Sequence, residues 1–292
     1  MTVRQTPHES AAASPDEIAK FVAEAAANAP SVSSTAPWWF STTDTEICVR
    51  ADVERKLAVA DPAGRELTIS CGAAVFTARI AVRYLGLLPS VRVLPDADVP
   101  NLIAKISWDG ERKEPGDHER ALFEQIPLLH RDLGGRGGFD GARLPAGLMS
   151  RLSEETARER ATLRVMAADD HRAALLAVMA AADSAFRLDA ALAGEGATWA
   201  VPGTPDFGLE PSSAGIVAVL TTAADQRADW VQAGQALQRL LLVAGGQGVE
   251  AAISARPFEF GQLREFIAVH LVGGEVPQLV LRFGMTTHER GG

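Results

Sequence analysis

Six histidines (His8, His118, His130, His171, His270 and His288) are scattered through the chain without the short spacings that a metal site uses. The two cysteines, Cys48 and Cys71, sit in the apolar contexts "EICVRAD" and "TISCGAAV", which predicts buried free thiols and no disulfide framework. No G-x-S-x-G elbow marks a nucleophile. "GGRGGFDG" has no G-x-G-x-x-G spacing, and "AGGQGVE" lacks the Lys-Ser/Thr of a phosphate loop. Carboxylates are plentiful, but no pair stands out from surface composition. No catalytic side chain is therefore assigned, which is consistent with a protein whose reactive atoms belong to a cofactor.

One segment could serve such a group. Residues 28–40, "NAPSVSSTAPWWF", set small hydroxyl residues between two prolines and follow them with rigid aromatic surface. Small side chains allow the backbone to lie close to something flat. The bland alternative is that Trp38 and Trp39 only pin the loop to a core.

Several elements must position that loop. Ser14-Pro15-Asp16-Glu17 supplies an N-cap, a first-turn proline and a capping glutamate, so a helix starts at Ser14 and stops before Pro30. A strand carrying Trp39–Phe40 and Ile47–Val49 follows, then a turn at "DPAGRE" and a helix over about 66–85 that ends at Gly86. "SVRVLP" and "NLIAKISW" read as short strands. Beyond a glycine-dense connector at 130–145 come a charged helix near 145–168 and an Ala-rich helix near 169–193. A strand at 215–225, a helix at 228–248 and a closing strand, "VPQLVLRFG", complete the chain.

The 292-residue chain is long enough for one large domain or two ordinary ones. Its 47% hydrophobic and 22% charged content is that of a soluble globular protein. A net charge of −9 argues against a nucleic-acid partner. Around "ETARERATLRVM", Glu154, just before it, and Glu155 and Glu159 within it sit among arginines, which predicts a solvated helix face. No apolar run approaches the ~20 residues of a membrane span, and the N-terminus lacks an apolar signal core. The expected location is cytoplasmic.

A worn repeat runs through this order. Gly72 and Gly234 share the offset of Gly86 and Gly248, 162 residues (234 − 72 and 248 − 86). "VPNLIAKI" at 99–106 parallels "VPQLVLRF" at 276–283, where the larger offset fits an extra helix, "FGQLREFIAVHL". The expectation is a duplicated α+β unit whose two copies pack like a dimer fused into one chain.

"NAPSVSSTAPWWF" resembles the A-P-S-x-x-N-x-Q-P-W segment of the nitroreductase superfamily. "DWVQAGQALQRLLLVAGGQGVEAAISARPFE" and "PQLVLRFG" are similar to its Acg-like branch, over about residues 15–285. The resemblance implies an α+β fold of two tandem nitroreductase-like halves forming an intramolecular pseudo-dimer, with a central helical core and mixed sheets. Residues 1–14 are then a flexible lead-in, 15–125 the first half and 126–292 the second.

The resemblance further implies FMN at the seam of the halves, contacted by Pro30, Ser31, Ser34 and Trp38 from the loop. Arg131 and Arg136, in the arginine segment at His130–Phe139, would hold the phosphate, with Arg282 or Arg290 adding a contact. Ser254, Ala255 and Arg256 would approach the reactive edge. Ser34 and Ala36 stand where the family has Asn and Gln.

The implied activity is an FMN-dependent oxidoreductase that moves hydride between a nicotinamide, NAD(P)H, or a small organic substrate and the flavin. The alternative is a flavin-sequestering or flavin-free ligand-binding protein. A small-molecule substrate is the expected partner, with no nucleic acid or membrane, and the chain is expected as a monomer or weak homodimer.

Overall fold

The computed structural model describes residues 14–132, 139, 141–199 and 215–285. Helix α1, Pro15–Ala26, begins at the expected capping box, in which Ser14 and Glu17 satisfy each other's backbone N–H groups. The expected single strand is a hairpin of β1 (Trp38–Thr43) and β2 (Glu46–Ala51), turning through Asp44 and Thr45. Helix α2 (Arg65–Tyr84) follows, then β3 (Leu87–Val93) and β4 (Leu102–Arg112). Helix α3, Asp117–Asp132, had no counterpart in the sequence reading.

The charged helix is shorter than expected. It spans Leu148–Ala157 as α4, and Arg160, in a left-handed conformation (φ 57°), turns the chain into β5 (Thr162–Val165). Nor is its acidic face solvated, because Glu155 and Glu159 are buried against arginines of the central helices. The Ala-rich helix divides at Asp189, whose carboxylate caps the N–H groups of Ala191 and Leu192. It forms α5 (Asp169–Leu188) and α6 (Ala190–Trp199). Strand β6 (Ile216–Thr222), helix α7 (Arg227–Gly245), strand β7 (Glu250–Ser254), helix α8 (Gly261–His270) and strand β8 (Val276–Gly284) complete the described chain. Helix α8 is the extra helix anticipated between the last two strands.

Two four-stranded sheets result, ordered β1-β2-β4-β3 and β5-β6-β8-β7. Every pairing is antiparallel, which corrects the expected mixed sheets. The reason is positional. In each sheet the central helix joins two strands, but the last strand inserts between them and runs antiparallel to both. Both sheets thus share one order and one placement of the long helix.

Helices α2 and α7 are buried on nearly all sides and form the middle of the molecule. One face of α2 (Leu67, Cys71, Val75, Val82) joins α1 and the first sheet in one apolar core. Its Ile69, Phe76 and Ile80 join α7, β6 and β8 in a second. A third core lies on the other face of the second sheet, under α5 and α8.

The central helices cross at Gly72 and Gly234. A Cβ on Gly72 would stand 2.4 Å from the Val231 carbonyl oxygen, and one on Gly234 would stand 1.9 Å from that of Ile69. These contacts are reciprocal, since Ile69 and Val231 are also 162 residues apart (231 − 69). Among the described residues, no helix is long and apolar enough to cross a membrane.

Candidate functional site

The Pro-Ser loop folds over the N-terminus of α2. Pro30 is buried, and the Ser31 hydroxyl accepts from Ala36 N (3.0 Å), which closes the loop on itself. Val32 N donates to Ser70 Oγ (3.1 Å), and Ser33 Oγ donates to Glu66 Oε2 (2.9 Å). Arg55 Nη1 donates to the Thr35 carbonyl at 3.1 Å. The Val32 side chain packs on the second core, so the loop reaches from the first sheet toward the other. Ser34 (φ 55°) and Ala36 (φ 42°) hold left-handed conformations that cost a non-glycine residue of order 1 kcal/mol.

Beneath the loop lies a buried charge cluster. Asp61 caps α2, its two oxygens accepting from Arg65 N (2.8 Å) and Leu67 N (2.9 Å). Burial still pushes its carboxyl above the usual range. Arg65, 6% exposed, donates through Nη1 to the Gln278 carbonyl (2.7 Å) of the second sheet and stacks over Phe258 at 5.7 Å. Glu66 is 4% exposed, and burial outweighs the neighbouring Arg65 to bring it up to about 7. Its Oε1 lies 3.6 Å from Arg65 Nη2, an ion contact beyond hydrogen-bond reach, and has no hydrogen-bond partner. Glu259 Oε2 is likewise buried without a partner, and burial together with the charge of Glu66 raises that carboxyl to about 8.

On the side of the second sheet the cluster is closed by pairs. Arg264 grips Asp225 with two bonds (2.7 and 2.8 Å), and Trp230 Nε1 donates to the same carboxylate at 2.7 Å. Burial would raise Asp225, but these donors hold it at about 2. Glu195 of α6 accepts from the N–H groups of Ala58, Val59 and Ala60 at 2.5–3.2 Å. Leu192 of the same helix packs on Leu57 and Ala60. Ser33, Thr35, Arg55, Leu57, Asp61 and Glu66 surround a void of about 10 Å³, room for roughly one water.

The anticipated residues divide into three groups. Ser31 and Ser34 bracket Ser33 in the loop above Glu66, and the charge of Arg256 favours ionisation of the same carboxyl. Arg256 is also ion-paired with Asp183 and stacked on Phe186 at 4.7 Å. Ser254 ends β7 opposite Val280, and Ala255 is buried beside it. Trp38 and Arg282 lie elsewhere. Trp38 is packed in the first core, and buried Arg282 stacks on Phe139 at 5.0 Å, on the face of the second sheet toward α5 and α8. The side chain of Arg131, together with Arg136 and Arg290, lies outside the described residues.

Sequence reasoning passed over Asp61, Arg65, Glu66 and Glu259. A signal existed: "DPAGRELTISCGAA" places three charges at the head of a helix whose following turns are small or apolar all round, which favours their burial with it.

No family model matches the chain. Two Mycobacterium tuberculosis proteins that carry the provisional name NAD(P)H nitroreductase are similar to it. Rv3131 is 26% identical, over 92% of this chain and 85% of its own length. The protein named acg is 24% identical, over 92% of this chain and 89% of its own. This similarity covers nine-tenths of the chain, which includes both sheets and both central helices, and so supports a place for the chain among nitroreductase-like proteins.

Proposed function

We propose that the chain is a nitroreductase-like oxidoreductase whose halves, residues 15–125 and 126–292, form an internal pseudo-dimer holding FMN along their seam. The observation that carries the reading is the buried carboxyl of Glu66, which accepts from Ser33 of the Pro-Ser loop and whose ionisation is favoured by the charge of Arg256 from the second half. The reciprocal glycine crossing of α2 and α7 and the common strand order support the pseudo-dimer.

The donor set suits the polar edge of a flavin ring. Glu66 Oε1 and Glu259 Oε2 accept no hydrogen bond, and carboxyls raised to about 7 and about 8 offer O–H donors at neutral pH. The small side chains of Ser31, Ser33 and Ala36 allow close backbone approach. A void of about 10 Å³ does not admit a tricycle, so binding requires the Ser31–Ala36 loop to lift. Its two strained residues favour that movement. Arg131 and Arg136, with Arg290, are assigned to the phosphate.

Bound flavin would supply two-electron chemistry, taking hydride from a reduced nicotinamide and passing it to a small organic acceptor. The chain orients the ring between the loop and the Ser254–Arg256 segment, excludes water and holds protons at Glu66 and Glu259. Purified protein that is yellow, or that takes up FMN on titration and then oxidises NADH with a quinone, supports the reading. Colourless protein that ignores FMN overturns it. The closed void favours a second reading, a sequestering or flavin-free binding protein, which uptake without turnover, or binding of a non-flavin ligand, would support.

A further inference from the structure

We propose that the turn Ala58–Ala60 is an oxyanion site held by the chain's own Glu195, and that a carboxylate or phosphate group of a small ligand exchanges with Glu195 there and frees α6. The inference is independent of the proposed redox activity.

Three successive N–H groups point to one side of the turn and share one carboxylate in an overlapping pattern. Glu195 Oε1 accepts from Ala58 N (2.5 Å) and Val59 N (3.1 Å), and Oε2 accepts from Val59 N (3.2 Å) and Ala60 N (2.8 Å). Among the described residues, no backbone carbonyl accepts from any of the three. Consecutive N–H groups that converge in a turn form a concavity of positive potential, suited to two oxygens that share a negative charge. Ala58 and Val59 are exposed, so the site is reached from solvent. Because every donor is a backbone N–H, the site selects the charge and breadth of an oxyanion and not a particular molecule.

The occupant comes from far along the chain, 135 residues beyond Ala60, and its helix is lightly held. Leu192 is the one buried residue of α6 among those described, and it packs on Leu57 and Ala60. Glycines flank Glu195 on both sides. Gly196 admits the Phe186 ring, which a Cβ would meet at 2.8 Å, but Gly194 has open space where a Cβ would stand. Packing therefore gives no reason for glycine at 194, and a glycine inside a helix lowers its stability. The Glu195 carboxylate and the Leu192 contact tie α6 to the turn, and an incoming oxyanion removes the first of them.

Exchange at the turn reaches the charge cluster through the chain itself. The turn lies between Leu57 and Asp61, which both line the void under the Pro-Ser loop, and Asp61 caps α2.

Hydrogen exchange of the full chain, read by mass spectrometry, tests the site. Inorganic phosphate and acetate are the probes, and sodium chloride at matched ionic strength is the control. In the wild type, a probe should speed exchange in 190–198 while 57–61 stays protected, because one oxyanion replaces another. In Glu195→Ala both segments should exchange about tenfold faster, and a probe should restore protection at 57–61 alone. A response to phosphate without acetate assigns the site to phosphate groups, and the reverse assigns it to carboxylates. Chloride that frees α6 as strongly as either probe overturns the oxyanion site, as does a variant that neither probe protects. Protection in the variant without release of α6 in the wild type overturns the exchange and leaves Glu195 a fixed clasp.

Discussion

Two buried charge clusters flank the α2–α7 pair, and they are built on opposite terms. One joins α2, α4 and α7. There Glu159 accepts from Arg79 and from Arg239 Nε (2.8 Å), Glu155 accepts from Arg239 Nη1 (2.6 Å), and Gln235 accepts from Arg79 at 3.0 Å. The two guanidinium groups also stack on Phe76 at 4.8 and 5.0 Å. Each of these carboxylates has an arginine donor, and Glu155 is held below its ordinary range: burial opposes that, but Arg239 and His118 outweigh it. The other cluster, at the head of α2, has two buried carboxyl oxygens that accept no hydrogen bond, one of them in ion contact with Arg65. A balanced cluster fixes the arrangement of helices, and an unbalanced one stores an unmet demand that a ligand or a proton can satisfy.

The sharpest way to break this comparison is to remove the crossing that separates the clusters. Gly234→Ala drives a Cβ into the backbone of α2, and Gly72→Ala does the same to α7. Either should cost more than about 3 kcal/mol or prevent soluble expression, measured by urea unfolding. A loss below about 1 kcal/mol would mean the helices do not meet there.

Next is the balanced cluster. Glu159→Gln strands Arg79 and Arg239 as under-compensated buried charges and should cost about 3–5 kcal/mol. In the unbalanced cluster, Glu66→Gln replaces a neutral acid with a neutral amide of the same shape and should change stability at pH 6 by less than about 1 kcal/mol. Equal losses from the two substitutions would erase the distinction.

The dependence on pH separates them as well. Glu66 and Glu259 have folded-state values above the ordinary 4.5, so the native state holds more protons than the unfolded chain. Their contribution is complete below about pH 4.5 and is lost as pH rises through about 7–8, at up to about 1.4 kcal/mol per pH unit for each group. The Glu66→Gln/Glu259→Gln protein should lack that slope when unfolding midpoints are compared from pH 5 to 9. The smallest effect lies outside both clusters. Ser14→Ala removes the capping box of α1 and should cost about 1 kcal/mol by the same measurement.

Much of the fold was legible because it follows from local chemistry. Ser14 and Glu17 mark a helix start in any context, and Gly86, at φ 75°, ends α2 where a left-handed residue is required. The 162-residue spacing of the helix glycines was visible, although only the coordinates place Gly72 against Gly234. The antiparallel sheets were not legible, since strand order depends on where β4 and β8 insert. Of the candidate site, the loop lies over the charge cluster at the head of α2, whereas Trp38 packs in the first core and Arg282 stacks on Phe139, placements that depend on the packing of distant segments.

The sequence alone determined most of the helix starts and ends and the spacing of the helix glycines, because capping, periodicity and motif spacing act over a few residues and survive in a linear string. Only the tertiary structure decided that Glu155 and Glu159 are satisfied while Glu66 and Glu259 are not. The same side chain is solvated, paired or stranded according to what distant segments bring beside it, and burial in a low-dielectric interior turns that difference into charge or its absence.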